Sequence, residues 1–342
     1  MKKSFMWLAV TVLIVTFVVS FSLAGCKEPE VVVETVTETV TETVVETVEV
    51  EGPAEAYKIT ILCANFDDKW MSYMHQGMEE YAATITDIAE VTLVDAANES
   101  ATQISQAENA IAQGVDALVI VALNTIEDNP IVDMAIDAGI PLVSINRLMK
   151  RQELVDVYVG SDEQVAGELQ MGYLAEASGG EGGLVIIQGE LDHSGAIGRT
   201  IGFENILEGY SGIEEVARDT CNWRREESQI LIENWVQADL DFKIIACNND
   251  EGAIGAILGL QSQGIDPEPY FIGGVDATPD ALDFLNQGLL DCTVFQDAYG
   301  QGRGGIEAAI DILQGRSVPE VKWIPYELVQ QKDYETYNAK WQ

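Results

Sequence analysis

The chain has 342 residues, of which 47% are apolar, and its 18 basic and 57 acidic residues give a formal charge of −39. This apolar content predicts a globular protein, and the length is sufficient for two domains with sizeable cores. The strong negative charge repels phosphate backbones and anionic lipid surfaces, so we expect no nucleic-acid partner.

The first 25 residues predict an export signal. Lys2 and Lys3 precede a nearly unbroken apolar run from Phe5 to Leu23, as is typical of secretory signals. The run ends at Leu23-Ala24-Gly25-Cys26, which resembles the lipobox of bacterial lipoproteins. The resemblance implies cleavage after residue 25 and diacylation of the Cys26 thiol. An uncleaved signal anchor is the alternative, and both alternatives place the remaining chain outside the cytoplasm.

Residues 27–56 predict a tether. Within them, residues 33–48 repeat a four-residue unit of the type Val-Glu-Thr-Val or Thr-Glu-Thr-Val. A segment with charge of one sign and no aromatic residue cannot bury a core. The alternative is a β-prone or coiled-coil segment that oligomerises, because Val and Thr favour strands.

Strands and helices alternate from Tyr57 onward. The predicted strands share short apolar, β-branched runs, at 59–63, 91–94, 117–121, 141–145, 157–159, 184–187, 243–246, 270–272 and 293–295. The predicted helices share apolar residues at helical spacing, at 70–83, 102–113, 131–138, 164–175, 199–207 and 306–313. This alternation predicts an α/β fold with parallel sheets covered by helices on both faces. Two sheets of about five or six strands fit the chain better than one long sheet.

Polar residues follow the predicted strands, where ligands bind in folds of this class. These positions, among which are also one tryptophan and one glycine, are Asp67, Asp68, Trp70, Asn146, Arg147, Gln188, Gly189, Asp192, His193, Asn248, Asn249, Asp250, Asp276 and Gln296. Such side chains suit a neutral sugar, because each hydroxyl both donates and accepts hydrogen bonds and the C–H face of the ring lies well on an aromatic ring. Turn formation, helix capping and, for Trp70, core packing are the alternatives for each residue taken singly.

Four segments in order carry a resemblance to a known family. They are Gln113–Leu118, Ala138–Val143, Asn249-Asp250-Glu251 and Gly274–Asp280. Over residues 57–330 the chain resembles the sugar-binding proteins of bacterial ABC importers, of the ribose-binding protein type. The resemblance implies two doubly wound parallel-sheet lobes joined by a three-segment hinge, with the ligand in the cleft between the lobes. The implied N-terminal lobe is 57–161 plus 297–323, and the implied C-terminal lobe is 162–296 plus 324–342.

The resemblance also implies a set of ligand-binding residues. They are Asp68, Trp70, Asn146, Arg147, Trp223, Asn249, Asp276 and Gln296, to which Arg199 is added as either a ligand contact or a structural brace. Asp68 stands where the family has asparagine, Asn146 stands where it has aspartate, and the family's second-lobe arginine falls on Ile197, close to Arg199. Because these departures change which hydroxyls are accepted, the identity of the sugar stays open.

The implied function is that of an extracytoplasmic, lipid-anchored, monomeric binding protein that delivers a neutral monosaccharide or cyclic polyol to an ABC permease, without catalysis, cofactor or metal. Three alternatives remain: a ligand-binding subunit for a sensor kinase or chemoreceptor, a nucleoside- or autoinducer-binding protein, and a glycosidase that uses Asp68 and Asp276.

The cysteine and glycine patterns carry weaker signals. Cys63, Cys221, Cys247 and Cys292 lack the close spacing of metal sites, so we expect small buried hydrophobes, with disulfides as the alternative. Gly300-Gln301-Gly302-Arg303-Gly304-Gly305 formally fits a dinucleotide-binding motif, but we interpret it as close packing of a helix on a sheet.

Overall fold

The computed structural model describes residues 55–123 and 129–341. The predicted signal, Cys26 and all but the last two residues of the predicted tether lie outside the described residues. In the part of the chain that is described, no helix is long and apolar enough to cross a membrane.

The first lobe is built on a six-stranded sheet in which all strand pairs are parallel. Its strands are β1 (Tyr57–Cys63), β2 (Ala89–Asp95), β3 (Ala117–Ile120), β4 (Leu142–Ile145), β5 (Val157–Gly160) and β11 (Val321–Trp323), in the order β11-β5-β4-β3-β1-β2. Its helices are α1 (Lys69–Thr84), α2 (Ser100–Ala112), α3 (Pro130–Ala138) and α9 (Ala298–Leu313).

Both faces of this sheet are covered. Ile61 and Val119 point to the core formed with α1 and α9, whereas Leu62 and Leu118 point to the core formed with α2 and α3. Strands β3, β4 and β5 are buried at every residue, which explains why the sequence shows them as continuous apolar runs. The predicted doubly wound arrangement is therefore confirmed for this lobe.

The second lobe combines parallel and antiparallel pairing. Its four-stranded parallel sheet has the order β7-β6-β8-β9, made of β6 (Glu181–Gln188), β7 (Gly212–Thr220), β8 (Ile244–Cys247) and β9 (Phe271–Gly273). Isolated parallel bridges connect it to β10 (Thr293–Phe295), which pairs antiparallel with β12 (Glu327–Val329). Its helices are α4 (Glu163–Ala177), α5 (Ser194–Leu207), α6 (Arg225–Gln237), α7 (Asp250–Ser262), α8 (Pro279–Asn286) and α10 (Tyr334–Asn338).

The antiparallel strand β12 departs from the predicted all-parallel sheets. The chain reaches β12 from the carboxyl end of β11 through only residues 324–326. That end faces the cleft between the lobes, so β12 starts at the cleft and runs away from it, opposite to the parallel strands, which run towards it. A parallel strand would need a crossover connection of about a dozen residues or more.

The chain passes between the two sheets three times. The passages lie between β5 and α4, between β10 and α9, and between β11 and β12. They fall where the resemblance implies the three segments of the hinge.

The glycines of residues 300–305 lie inside α9 and not in a loop before it. A Cβ atom on Gly302 would lie 2.9 Å from the Met74 carbonyl oxygen, and one on Gly305 would lie 2.5 Å from Ile145 Cγ2. On α1, a Cβ atom on Gly77 would collide with the ring of Tyr299. Close packing of α9 on α1 and on the sheet therefore accounts for Gly302 and Gly305.

All four described cysteines are buried free thiols: Cys63, Cys221, Cys247 and Cys292. Burial raises the pKa of Cys63 and of Cys221 to about 12. The described cysteines therefore act as small apolar side chains, and the alternative with disulfides does not apply to this structure.

Candidate ligand-binding site

A cavity of about 330 Å³ lies between the two lobes. All nine predicted ligand-binding residues line it, and they come from both lobes: Asp68, Trp70, Asn146, Arg147, Arg199, Trp223, Asn249, Asp276 and Gln296. The cavity is near the lower end of the range for small-molecule sites, about 300 to 1,000 Å³. The structure brings the residues together, and their contact with a ligand remains a prediction.

The N-terminus of α1 forms one edge of the cavity. Asp68 caps this helix, because its Oδ1 accepts a hydrogen bond from the Met71 amide at 2.8 Å. Its other carboxylate oxygen has no hydrogen-bonding role in the cap. Two residues later, Trp70 is buried and its Nε1 donates to the carbonyl oxygen of Gln296 at 3.2 Å. This bond joins the first lobe to the passage between β10 and α9.

Asn146 and Arg147 follow β4. Asn146 has a left-handed backbone with φ of 63°, and its Nδ2 donates to Gln301 Oε1 at 3.1 Å. The Arg147 guanidinium is buried, and its Nη1 donates to the Ala122 carbonyl at 3.2 Å, while its Nε has no hydrogen-bond partner among the described residues. Burial lowers the pKa of Arg147, and Asp68 is the largest opposing influence. This arginine is thus a buried donor with unused hydrogen-bonding capacity.

Trp223 contributes the aromatic wall of the second lobe. It has a left-handed backbone, with φ of 66°, and its ring packs so closely on Gly189 that a Cβ atom there would collide with the indole. The ring centroid lies 4.9 Å from that of His193, in an edge-on arrangement at 70°. The Trp223 Nε1 has no acceptor among the described residues. Trp223 therefore offers both an apolar face and an unused N–H.

His193 is held neutral beside this wall. Burial, together with the charges of Arg147 and Arg199, lowers the pKa of His193 well below its ordinary value. Its Nδ1 accepts a hydrogen bond from the Gly195 amide at 2.8 Å and so caps α5. The remaining ring proton is consequently on Nε2.

Asn249 and Asp276 differ in how many of their hydrogen-bonding groups have partners within the protein. Asn249 caps α7 through a 2.9 Å bond from the Gly252 amide to its Oδ1. The buried Asp276 carboxylate contacts only Arg199, at 3.8 Å, among the described charged groups. Burial raises the pKa of Asp276 well above its ordinary value, although Arg199 opposes this. Because its one charged partner among the described residues is Arg199 at 3.8 Å, the Asp276 side chain has hydrogen-bonding capacity left for a ligand hydroxyl.

Arg199 is the centre of a buried hydrogen-bond network. Its Nε donates to Glu163 at 2.8 Å, its Nη1 to the Asn248 carbonyl at 2.6 Å, and its Nη2 to Gln296 Oε1 and the Tyr326 hydroxyl at 2.9 and 3.0 Å. Burial lowers the pKa of this guanidinium, but Glu163, Tyr326 and Asp276 outweigh it and raise the pKa overall. Glu163, Gln296 and Tyr326 each lie in or next to a different passage between the lobes, so the network joins all three passages. Of the two predicted roles, the geometry therefore favours the structural brace.

Glu163, Tyr326 and Glu190 belong to the candidate site or its supporting network but were not predicted from the sequence. Glu163 and Tyr326 bind Arg199, and the Tyr326 hydroxyl also donates to Glu163 at 2.7 Å. Glu190 lines the cavity, and burial raises its pKa while Arg147 lowers it. Its place in the turn after β6, directly after Gly189, is a signal that could have identified it.

The cavity thus combines carboxylates, amides, guanidinium groups and indole rings, as recognition of a polyhydroxylated ring requires. Within residues 55–123 and 129–341 there is no group of three His, Cys, Asp or Glu side chains arranged to hold a metal ion.

Comparison with known proteins identifies relatives along most of the chain. Residues 59–317 match the family model described as "Periplasmic binding protein domain". A putative rhizopine-binding protein of Rhizobium meliloti is 39% identical over 298 residues, which are 86% of this chain and 96% of that protein. A xylitol-binding protein of Mycolicibacterium smegmatis is 32% identical over 71% of this chain and 68% of that protein.

A solved structure also matches most of this chain. An ABC transporter solute-binding protein from Bacillus halodurans C-125, with bound myo-inositol, superposes with a TM-score of 0.81 at 38% identity. The match covers 85% of this chain and 100% of that chain.

Proposed function

We propose, from the premise that this chain belongs to the periplasmic binding protein family, that it is the extracytoplasmic substrate-binding component of an ABC importer for a neutral cyclic polyol or monosaccharide. The observation that carries the proposal is the cavity between the lobes, where nine polar and aromatic residues from both lobes meet. A site divided between two lobes binds its ligand most tightly when both lobes contact it, so ligand binding favours the closed form.

The hydrogen-bonding state of the cavity supports a polyol as the ligand. Arg147, Trp223 and Gln296 line the cavity, and each has a buried N–H donor without a partner among the described residues; we propose that these donors turn to acceptors on the ligand when the lobes close around it. Asp68 and Asp276 supply acceptors, and hydrogen bonds from hydroxyl groups to carboxylates are short and strong. A hydroxylated ring satisfies donors and acceptors together, whereas an apolar ligand would leave them unpaired.

Myo-inositol is our first candidate ligand. The solved relative at 38% identity contains it, and the Mycolicibacterium relative is named for xylitol, which is also an uncharged polyol. The relative from Rhizobium meliloti adds rhizopine to the panel of ligands to be tested. The cavity volume suits one ring better than an oligosaccharide.

The individual roles follow from the geometry. We assign the ligand contacts to Asp68, Asn146, Arg147, Asn249, Asp276 and Gln296, ring stacking to Trp70 and Trp223, and bracing of the hinge to Arg199. The lobe boundaries that we propose are 57–161 plus 297–323 and 162–296 plus 324–342, because β11 joins the first sheet and β12 pairs with a strand of the second lobe.

The proposed setting is the outer face of the cell membrane. Cys26 would carry the lipid anchor, residues 27–56 would act as the tether, and a monomer would present the closed lobes to the permease. The protein would release its ligand unchanged and would not act as an enzyme.

Isothermal titration calorimetry tests the proposal directly. A form that lacks the signal and Cys26, and so starts at residue 27, is titrated with myo-inositol, xylitol, ribose and rhizopine, and with the anionic sugar glucuronate as the control. We expect micromolar affinity for at least one neutral polyol and recovery of that ligand unchanged after incubation. Tight binding of glucuronate alone, or cleavage of a glycoside substrate, would contradict the proposal. Mass spectrometry of the membrane form tests for a diacylated Cys26.

A further inference from the structure

Trp341, near the C-terminus, contacts both lobes close to the cavity. Its ring centroid lies 4.6 Å from that of Tyr73 on α1, in the first lobe. It also lies 5.8 Å from that of Phe295, at the end of β10 in the second lobe. The indole accordingly packs against the main apolar cores of both lobes. No other aromatic side chain of the described residues packs against both cores.

The same indole fixes a strained turn. Trp341 Nε1 donates a hydrogen bond of 2.8 Å to the carbonyl oxygen of Ala277. Ala277 has φ of 51° and the preceding Asp276 has φ of 124°, so two successive residues with a Cβ atom occupy the left-handed half of the backbone map. Such backbone conformations are strained in residues that carry a Cβ atom, and they persist only where their surroundings hold them.

The other bonds of this turn come from the second lobe alone. The Asp276 amide donates to the Val294 carbonyl at 2.8 Å, and the Ala277 amide donates to Thr293 Oγ1 at 3.1 Å. Trp341 differs from these partners because its ring also touches α1, the helix that Asp68 caps. A single side chain therefore links the turn that presents the Asp276 carboxylate to the opposite wall of the cavity.

We propose that Trp341 is a positioning residue for the ligand site. It holds the Ala277 carbonyl, and through it the left-handed turn that directs the Asp276 carboxylate into the cavity. Its contact with Tyr73 ties this turn to the arrangement in which the two lobes enclose the ligand. The proposal rests on the proposed function, since it requires Asp276 to contact the polyol.

A double-mutant cycle tests this role. Trp341→Phe keeps an aromatic ring but removes the N–H, and Trp235→Phe is the matched control, because Trp235 is also partly buried and packs on the second-lobe core, in α6. We expect Trp341→Phe to weaken binding of myo-inositol, or of whichever polyol of the panel binds best, by about fivefold or more. The control should stay within about twofold.

The cycle separates positioning from general packing. In an Asp276→Asn background, Trp341→Phe should change the affinity by less than about twofold, because the carboxylate that it positions is gone. An equal loss of affinity in both backgrounds would show that Trp341 acts independently of Asp276 and would overturn the proposal.

Amide hydrogen exchange provides a second test that needs no ligand. In ligand-free protein, Trp341→Phe should speed the exchange of the Asp276, Ala277 and Thr278 amides, whereas Trp235→Phe should not. Unchanged exchange in Trp341→Phe would overturn the proposal. If the wild-type protein binds no polyol of the panel, the proposed function fails, and the exchange experiment alone decides whether Trp341 holds the turn.

Discussion

The brace around Arg199 makes a quantitative prediction for Arg199→Met. Removing the guanidinium leaves the buried Glu163 carboxylate with the Tyr326 hydroxyl as its remaining partner, and it also removes the donors to Asn248 and Gln296. Loss of one member of a buried ion pair costs about 3–5 kcal/mol. Because Tyr326 still donates to Glu163, we expect a loss near the lower end, about 3 kcal/mol of unfolding free energy.

Urea denaturation followed by circular dichroism measures this loss. The double variant Arg199→Met with Glu163→Gln removes the unpaired charge and should recover at least about 1 kcal/mol relative to the single variant. Arg218→Met is the matched control, since Arg218 pairs with Glu204 and Glu215 at the surface and should cost less than about 1 kcal/mol. The reasoning is refuted if Arg199→Met costs less than about 1 kcal/mol yet abolishes polyol binding, because Arg199 would then be a ligand contact and not a brace.

The other predictions concern the cavity wall and the response to pH. Trp223→Ala should weaken polyol binding by about 2–4 kcal/mol in calorimetry, while Trp235→Ala should not, and an unchanged affinity would remove Trp223 from the site. Asp68→Asn should cost about 1.5–3 kcal/mol of myo-inositol binding if the carboxylate accepts a ligand hydroxyl, and a loss of less than about threefold would contradict that role. Burial raises the pKa of Asp291 to about 6, although the Ile272 amide donates to it. The stability that protonated Asp291 contributes is therefore full below about pH 4 and is lost as the pH rises through about 6. The Asp291→Asn variant should avoid up to about 3 kcal/mol of this loss of unfolding free energy. If the urea midpoints of the variant and the wild type change with pH in the same way between about pH 4 and pH 7, the prediction is wrong.

The alternation of strands and helices could be predicted from the sequence because most strands are buried on both faces. Strand β7 was missed, since it lies at the edge of its sheet and its sequence Gly-Ile-Glu-Glu-Val-Ala-Arg-Asp-Thr is largely polar and exposed. Helix α5 was predicted to start at Arg199, but it starts at Ser194. Its early glycines weaken the helical pattern, and Gly198 is there because a Cβ atom would lie 2.5 Å from that of Glu163.

The candidate site could be predicted as a set of positions but not as a network. Residues after strand ends converge because the carboxyl ends of parallel strands lie at one edge of a sheet. The partners of Arg199 follow no such rule, because Glu163 and Tyr326 are 36 and 127 positions away in the chain. The hydrogen-bond network around Arg199 could therefore not be predicted from the sequence.

The glycine contacts between α1 and α9 have a mechanical consequence for the first lobe. Gly77 lies against the ring of Tyr299, and Gly302 lies against the backbone of Met74, so the two helices pack at close distance. The two helices therefore move as one rigid unit. Because α9 follows the passage at Gln296 and α1 carries Trp70, whose Nε1 donates to the Gln296 carbonyl, a twist of that passage moves the Trp70 wall of the cavity with it.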